Sequence, residues 1–286
     1  MLAFCVLCYH RLIHMSASTH SVGLKKATVA HYKKAGRHVL PWRKRSTPYR
    51  VFVSEVMLQQ TQVDRVVPKF NAFIKTFPSW RALAEANLTE VYARWQGLGY
   101  NRRAKYIRDA ARLVVERGKD LPNDLEFIQS LPGVGPYTAG AVRAFAYGES
   151  APFIETNIKT AVLHHCFAHK RVVRNEEILK VLTRLEPKRG APSVAWYSAL
   201  MDYGAHLKSV GVQLNAKTVG YKKQTAFKGS LRQVRGAVMR SLGRGSTIAQ
   251  LKRKTKFAEP EISLALSALI KESLVQKKNN RYTLSP

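Results

Sequence analysis

Acidic residues are scarce in this chain. Over 286 residues, 18 Asp and Glu face 48 Lys and Arg, a net charge of +30. Solubility alone is a poor account of so large an excess, which points to a polyanionic partner. Cysteine is rarer still: Cys5, Cys8 and Cys166 cannot build a disulfide framework, which suits a reducing interior. No apolar run approaches the roughly 18 residues that a membrane span needs. The apolar start, Met1 to Cys8, is short, lacks a preceding basic segment and has no clear cleavage site, so it does not read as a signal peptide. Met15 is an alternative start. Internal repeats and low-complexity tracts are also missing, and strand-like alternation is confined to the extreme end. What remains is a hydrophobic content of 45%, enough for a real core.

From Val22 to Ser209 helical periodicity follows helical periodicity, punctuated at Pro41, Pro78, Gly97, Gly99, Pro122, Pro132 and Pro152. The body therefore reads as all-α. Residues 1–21 form a leader expected to be disordered, 22–208 the main domain, and 209–228 a basic linker without periodicity. Residues 229–286 then form a small module. Helices are predicted over Leu231–Leu242, Thr247–Thr255 and Pro260–Leu274. The tail Leu274–Leu284 alternates about a polar Lys277-Lys278-Asn279-Asn280 turn, as a hairpin does. Three helices and a hairpin resemble a winged helix-turn-helix. Residues 221–286 hold 15 Lys and Arg against 3 acids, a net +12, which favours DNA contact. Winged helices also serve as protein-interaction modules.

Two local features carry chemistry. In Leu131-Pro132-Gly133-Val134-Gly135, proline stops one helix, the two glycines allow backbone angles and close approaches, and Pro136 suits the first turn of the next. Such a hairpin aims N–H groups and a helix N-terminus outward, a place for a phosphate. The bland reading is an ordinary Pro-Gly turn. The second feature begins at Thr47-Pro48, a capping hydroxyl followed by proline. In the helix after it, Tyr49, Phe52, Val53, Val56 and Met57 form a core face. Glu55 lies off that stripe, yet its helical neighbours Val51 and Leu58 are apolar. A carboxyl so placed loses solvation and its pKa rises towards neutrality, as a general acid requires. A lone glutamate is otherwise a solvated surface residue.

Around Glu55 the segments Leu40-Pro41-Trp42-Arg43, Thr47-Pro48-Tyr49 and Ser54 to Val63 closely resemble the adenine DNA glycosylase (MutY) branch of the helix-hairpin-helix glycosylases. Trp95-Gln96-Gly97-Leu98-Gly99-Tyr100, the hairpin, Pro152-Phe153-Ile154-Glu155-Thr156-Asn157 and Met201-Asp202-Tyr203-Gly204-Ala205 continue the match in order, over about 180 residues. The resemblance implies two all-α lobes, one from about Thr47 to Tyr147 and one joining the N-terminal helix to those after Asn157, with DNA across the cleft. It makes Glu55 the catalytic glutamate that protonates adenine and helps water attack the sugar. It makes Glu155 the second carboxylate, which stabilises the cationic sugar, and makes Tyr137 and Asn157 the residues that orient glutamate and water. Relatives that also cut the strand carry lysine at the place of Tyr137, for a Schiff base. A tyrosine there implies a monofunctional enzyme. Packing for Tyr137 and helix capping for Asn157 are the plainer roles. Gln59, Gln60 and Tyr100 match residues that probe or wedge the duplex when a base is flipped out. Arg102, Arg103, Lys105 and Lys159 are expected to follow phosphates, together with the hairpin of Gly133 and Gly135. A solvated face is the competing view for each cation, and core packing for Tyr100.

Three departures accompany the resemblance. The family has Asp where this chain has Glu155, and an added methylene moves the charge by more than about an ångström. The family carries four cysteines after the Met-Asp-Tyr-Gly segment for a [4Fe–4S] cluster, whereas this chain has none beyond Cys166, so no cofactor is expected. The domain that reads 8-oxoguanine is not recognisable. His164, His165, Cys166 and His169 lack a distant second ligand pair, so zinc is not assigned and no metal is expected. The sequence thus predicts a monomeric, monofunctional DNA glycosylase acting on mismatched double-stranded DNA, with adenine opposite guanine or 8-oxoguanine as its base. A mismatch thymine or uracil glycosylase and a non-catalytic DNA-binding regulator are the alternatives.

Overall fold

The structure, a computed structural model, describes residues 17–150, 152–187 and 190–285. The expectations for Met1, Met15, Cys5, Cys8 and the leader through residue 16 lie outside the described residues. In chain order the first helices are α1 (Ala17–Ala35), α2 (Pro41–Lys44), α3 (Pro48–Leu58), α4 (Val63–Thr76), α5 (Trp80–Glu85) and α6 (Leu88–Trp95). There follow α7 (Arg102–Arg117), α8 (Leu125–Ser130), α9 (Pro136–Tyr147), α10 (Thr156–Cys166), α11 (Asn175–Leu185) and α12 (Ala191–Ser209). The last part holds α13 (Leu231–Ser241), α14 (Ile248–Thr255), α15 (Glu259–Lys271), β1 (Val275–Lys278) and β2 (Arg281–Leu284). Residues 17–21, which the sequence assigns to a disordered leader, belong instead to helix α1, which begins at Ala17 ahead of the periodic pattern at Val22. Periodicity locates an apolar face, and the backbone ladder continues past it without one.

The fold is the all-α one the sequence predicts, in two compact units. One joins the chain up to Val39 to Gly140–Lys222; the other joins Leu40–Ala139 to Lys223–Pro286. In the first unit α1, α10 and α12 pack on one another. Leu24, Val162, Leu163, Tyr197 and Leu200 are fully buried there. Each such side chain contributes roughly 1.5–3 kcal/mol. Gly204 lets α12 approach α10: a β-carbon there would stand 1.9 Å from the carbonyl oxygen of Asn157. Arg37, just past α1, donates through its backbone N–H (2.8 Å) and its Nε (2.6 Å) to the buried carboxylate of Asp202 on α12. The segment after α12 is fixed by a 3₁₀ turn at Asn215–Lys217, by pairing of Thr218 with Val173, and by Asn215 Nδ2 on the Thr156 carbonyl (3.2 Å).

In the second unit α3 is the central helix. The predicted stripe of Tyr49, Phe52, Val53, Val56 and Met57 is buried, and so are Val51, Ser54 and Glu55. Trp80 meets the rings of Tyr49 and Phe52 on α3 in edge-on and tilted contacts, and the buried Phe73 and Trp95 meet edge-on beside them. Thr47 caps α3 by accepting from the N–H of Arg50 at 3.3 Å, as its sequence context predicts. Later in this unit α13, α14 and α15 pack around Val234, Val238, Leu251, Ile262 and Leu266. The hairpin pairs Val275 with Leu284 and Lys278 with Arg281, turning through Asn279 and Asn280, both in the left-handed region that asparagine tolerates. Among the described residues no helix is long and apolar enough to cross a membrane.

Candidate active-site residues

Glu55 sits in the eighth position of α3 and is 3% exposed, so the loss of solvent read from Val51 and Leu58 holds. The hydroxyl of Tyr137 donates to its Oε2 at 2.9 Å. Tyr137 follows Pro136 at the start of α9, so the hairpin turn sets the height at which this hydroxyl meets α3. Gln59, just past the end of α3, ties the two parts together: its Nε2 donates to the Gly133 carbonyl (3.2 Å) and to Thr138 Oγ1 (3.1 Å). Gly133 has φ +77°, and a β-carbon there would meet the Tyr106 ring at 2.6 Å. Gly135 is different. A β-carbon would meet nothing within 4 Å, so packing does not require glycine at 135, and the space over that turn is open.

Arg103 overturns its expectation. It is buried and donates to the carbonyls of Val56, Met57 and Gln59 at 2.7–2.9 Å, and to Thr61 Oγ1 and the Leu98 and Gly99 carbonyls at 3.0–3.1 Å. The last carbonyls of a helix lack intrahelical partners and carry partial negative charge, so a guanidinium is the natural group to close α3. Burial pulls its pKa down to about 10, still charged at neutral pH. Arg103 fastens the C-terminus of the helix that carries Glu55, and its guanidinium is not available to a phosphate.

Glu155 forms a separate cluster in the first unit. It is the N-cap of α10, half-buried, with Oε2 accepting from the N–H groups of Asn157 (2.7 Å) and Ile158 (3.4 Å). Its Oε1 accepts from Asn157 Nδ2 at 3.1 Å, and Asn157 Oδ1 accepts from Lys208 Nζ at 3.2 Å. Burial raises the Glu155 pKa, while the Asn157 and Ile158 N–H groups and the charges of Lys208 and Arg37 pull it back. The cap of α10 is thus Glu155, and Asn157 is not the cap but the amide beside it. Lys159, on the next turn, is half-buried, with its pKa lowered by desolvation.

The residues expected to probe DNA lie in the second unit. Gln60 (φ +54°) and Tyr100 (φ +48°) are both left-handed, which is costly for such side chains and is found where function holds a conformation in place. Tyr100 lies between the guanidiniums of Arg103 and Arg232, 5.5 and 5.6 Å from its centroid, and its hydroxyl accepts from Arg232 at 2.7 Å. Gln60 Oε1 accepts from Gln224 at 3.1 Å. Arg102 is paired with Glu272, which also binds Arg235, and Lys105 with Asp109 one turn on. Burial opposes ionisation of Glu272, but the two arginines hold its pKa down to about 2. Sequence reading passed over Lys208, the Arg37–Asp202 pair and Glu272. The available signal was acid scarcity: with so few acids among so many cations, Asp202 and Glu272 each hold an arginine.

The described residues contain no His, Cys, Asp and Glu group that could hold a metal ion, and His165 Nε2 instead meets the Tyr203 hydroxyl at 2.8 Å. Nor does a [4Fe–4S] cluster fit, because three cysteines cannot supply four thiolates. Against this geometry, the family model described as HhH-GPD superfamily base excision DNA repair protein matches residues 53–187, a span holding Glu55, Tyr100, the hairpin, Tyr137, Glu155 and Asn157. The chain belongs to that superfamily and is a DNA glycosylase. It is similar to the adenine DNA glycosylase of Mycolicibacterium smegmatis, 33% identical over 274 residues, which are 87% of this chain and 92% of that one. Two solved structures share the fold. A thermostable thymine-DNA glycosylase has a TM-score of 0.56 at 22% identity, over 66% of this chain and 88% of that one. A trapped endonuclease III–DNA covalent intermediate has a TM-score of 0.54 at 17% identity, over 68% and 86%.

Proposed function

We propose that the protein is a monofunctional adenine DNA glycosylase, which hydrolyses the glycosidic bond of adenine mispaired with guanine or 8-oxoguanine in duplex DNA. The observation that carries this reading is the Tyr137 hydroxyl bound to buried Glu55, an oriented acid beside a residue that has no amine. The name of the M. smegmatis relative supports adenine as the base. Glu55 gives its proton to the imidazole ring of the extruded adenine, and the C1′–N9 electron pair leaves with the base. Glu155 faces the positive charge then borne by the sugar. Water adds to C1′ and returns a proton to Glu55, leaving free adenine and an abasic site. Gln60 and Tyr100 probe and fill the space the base vacates, and the basic module after Ser230 adds phosphate contacts.

Duplexes carrying A·G, A·8-oxoguanine, T·G and U·G pairs test this reading, with products scored before and after hot alkali. Adenine release from the first two, with strand breaks only after alkali and no borohydride-trapped adduct, is the expected result. Excision from T·G or U·G alone overturns the choice of base. Breaks before alkali overturn the monofunctional reading.

A further inference from the structure

We propose that Lys208 is a positioning residue for the reaction: it fixes the Asn157 amide so that this amide, in turn, holds the carboxylate of Glu155 at the N-terminus of α10. The inference rests on the reading of Glu155 as the carboxylate that faces the sugar.

The chemistry of the three groups is directional. An ammonium only donates and a carboxylate only accepts, while an amide does both at opposite ends. With Lys208 Nζ on Oδ1 at 3.2 Å and Glu155 Oε1 on Nδ2 at 3.1 Å, both neighbours demand the same amide orientation. Each neighbour alone favours that orientation, and the two together hold the amide from both ends. The fold brings Lys208 there by a local device. Gly204 lies four residues earlier on the same face of α12, at the point where that helix touches the Asn157 backbone.

The length of Glu155 explains why such support is needed. Aspartate at an N-cap meets the first N–H groups through a short, stiff arm. Glutamate has one more rotatable bond, so its second oxygen swings unless something holds it, and here the Asn157 amide does. Electrostatics points the same way. The groups that bear on Glu155 are its own helix N-terminus, Lys208 from α12 and Arg37 from the end of α1. Arg37 is already committed to Asp202. Lys159 stands one turn along α10, its own charge disfavoured by burial. Burial raises the carboxyl's proton affinity; the N–H groups of Asn157 and Ile158 and the charges of Lys208 and Arg37 oppose this, and Lys208 also donates to the Asn157 side chain.

The test is a pH profile of single-turnover adenine release by the full-length protein, for wild type, Lys208→Met, Lys208→Gln and Lys208→Arg. Lys208→Met is expected to lower the rate about tenfold under saturating protein, with the acid limb moved to higher pH. Lys208→Gln keeps a donor for Asn157 without the charge, so it recovers part of the rate but keeps the displaced limb. Lys208→Arg restores both. In a Glu155→Gln background, Lys208→Met adds no further loss. A merely structural lysine lowers the melting temperature and leaves the limb in place. A phosphate contact weakens DNA affinity and its salt slope with an unchanged saturating rate. Either outcome overturns the proposal, and Lys208→Gln decides it should Lys208→Met not fold. Full activity of Glu155→Gln alone overturns the assignment of Glu155 itself, whatever the Lys208 variants do.

Discussion

Glu55 and Glu155 are the same residue type set in opposite parts of a helix. Glu55 lies deep along α3, buried like Val51, Phe52 and Val56 beside it in the chain, and meets a neutral hydroxyl. Glu155 is the N-cap of α10, where unpaired N–H groups and the helix dipole favour an anion, and its amide neighbour leads to a lysine. One setting walls a carboxyl off from water; the other offers N–H donors and a nearby lysine that pull back a pKa which burial raises. The backbone position thus divides the labour before any substrate arrives. It also divides the costs, because α3 has a separate residue for its cap whereas α10 is capped by the very carboxylate proposed to face the sugar.

The largest expected effect breaks the first half of this comparison. Glu55→Gln keeps the volume and the contact with Tyr137 but has no proton to give, so adenine release falls by about a thousandfold or more. Binding to mismatched DNA stays within about twofold, as a gel-shift titration measures. Appreciable turnover by this variant sinks the assignment. Glu155→Gln breaks the second half, with an expected loss of about a hundredfold from removing the charge that faces the sugar. Its stability moves the other way. The folded pKa of Glu155 lies above its ordinary value, so the stabilising contribution is complete below about 4.5 and is lost as pH rises through the folded value. Neutral pH lies above 4.5, so the wild type there has given up stability that the uncharged variant keeps. Glu155→Gln therefore melts no lower than wild type at pH 7, and a lower melting temperature contradicts the raised pKa.

Much of this architecture was legible in the residues because its causes are local. Thr47-Pro48 fixes a helix start whatever surrounds it, and the stripe from Tyr49 to Met57 must be covered by something. Glu55 could be placed in the interior because its own helical neighbours exclude water. Arg103 was not legible. In sequence it is one of three cations in Arg102-Arg103-Ala104-Lys105, and only the carbonyls at the end of α3, some 45 residues away, turn it inwards. The same holds for Lys208, whose role depends on the meeting of α12 and α10 at Gly204, and for Arg102, whose charge is held by Glu272. Cations in a basic chain look alike until their distant partners are known.

Two smaller effects sharpen the comparison. Glu155→Asp keeps the charge and supplies a better helix cap, but shortens the arm. The expected loss is up to about a hundredfold in rate, with melting unchanged or raised. A faster variant would mean that the site still has the geometry of an aspartate. Tyr137→Phe removes the hydroxyl from Glu55 and leaves the ring, lowering the rate about tenfold with the pH profile of the Glu155 limb unaltered. If instead that limb moves, the two carboxylates are coupled and the division of labour fails.

The smallest effect concerns the cap of α3, where structure and chemistry are carried by different residues. Thr47 Oγ1 accepts a 3.3 Å bond from the N–H of Arg50 at an exposed helix start, near the long end of the hydrogen-bond range. Thr47→Ala removes that acceptor and returns the N–H to water. The expected cost is about 0.5–1 kcal/mol, the low end for a capping residue, or roughly 2 °C in melting temperature for a chain of this size. Glu55 stands two turns further along, held from the far end of α3 by Arg103 and from the side by Tyr137, and neither contact involves the first turn. The saturating rate of adenine release should therefore remain that of wild type. At position 155 the rate is lost while the melting temperature holds; at position 47 the melting temperature falls while the rate holds. A rate loss in Thr47→Ala larger than about twofold would show that the first turn of α3 sets the height of Glu55, and that the cap and the acid are not separable.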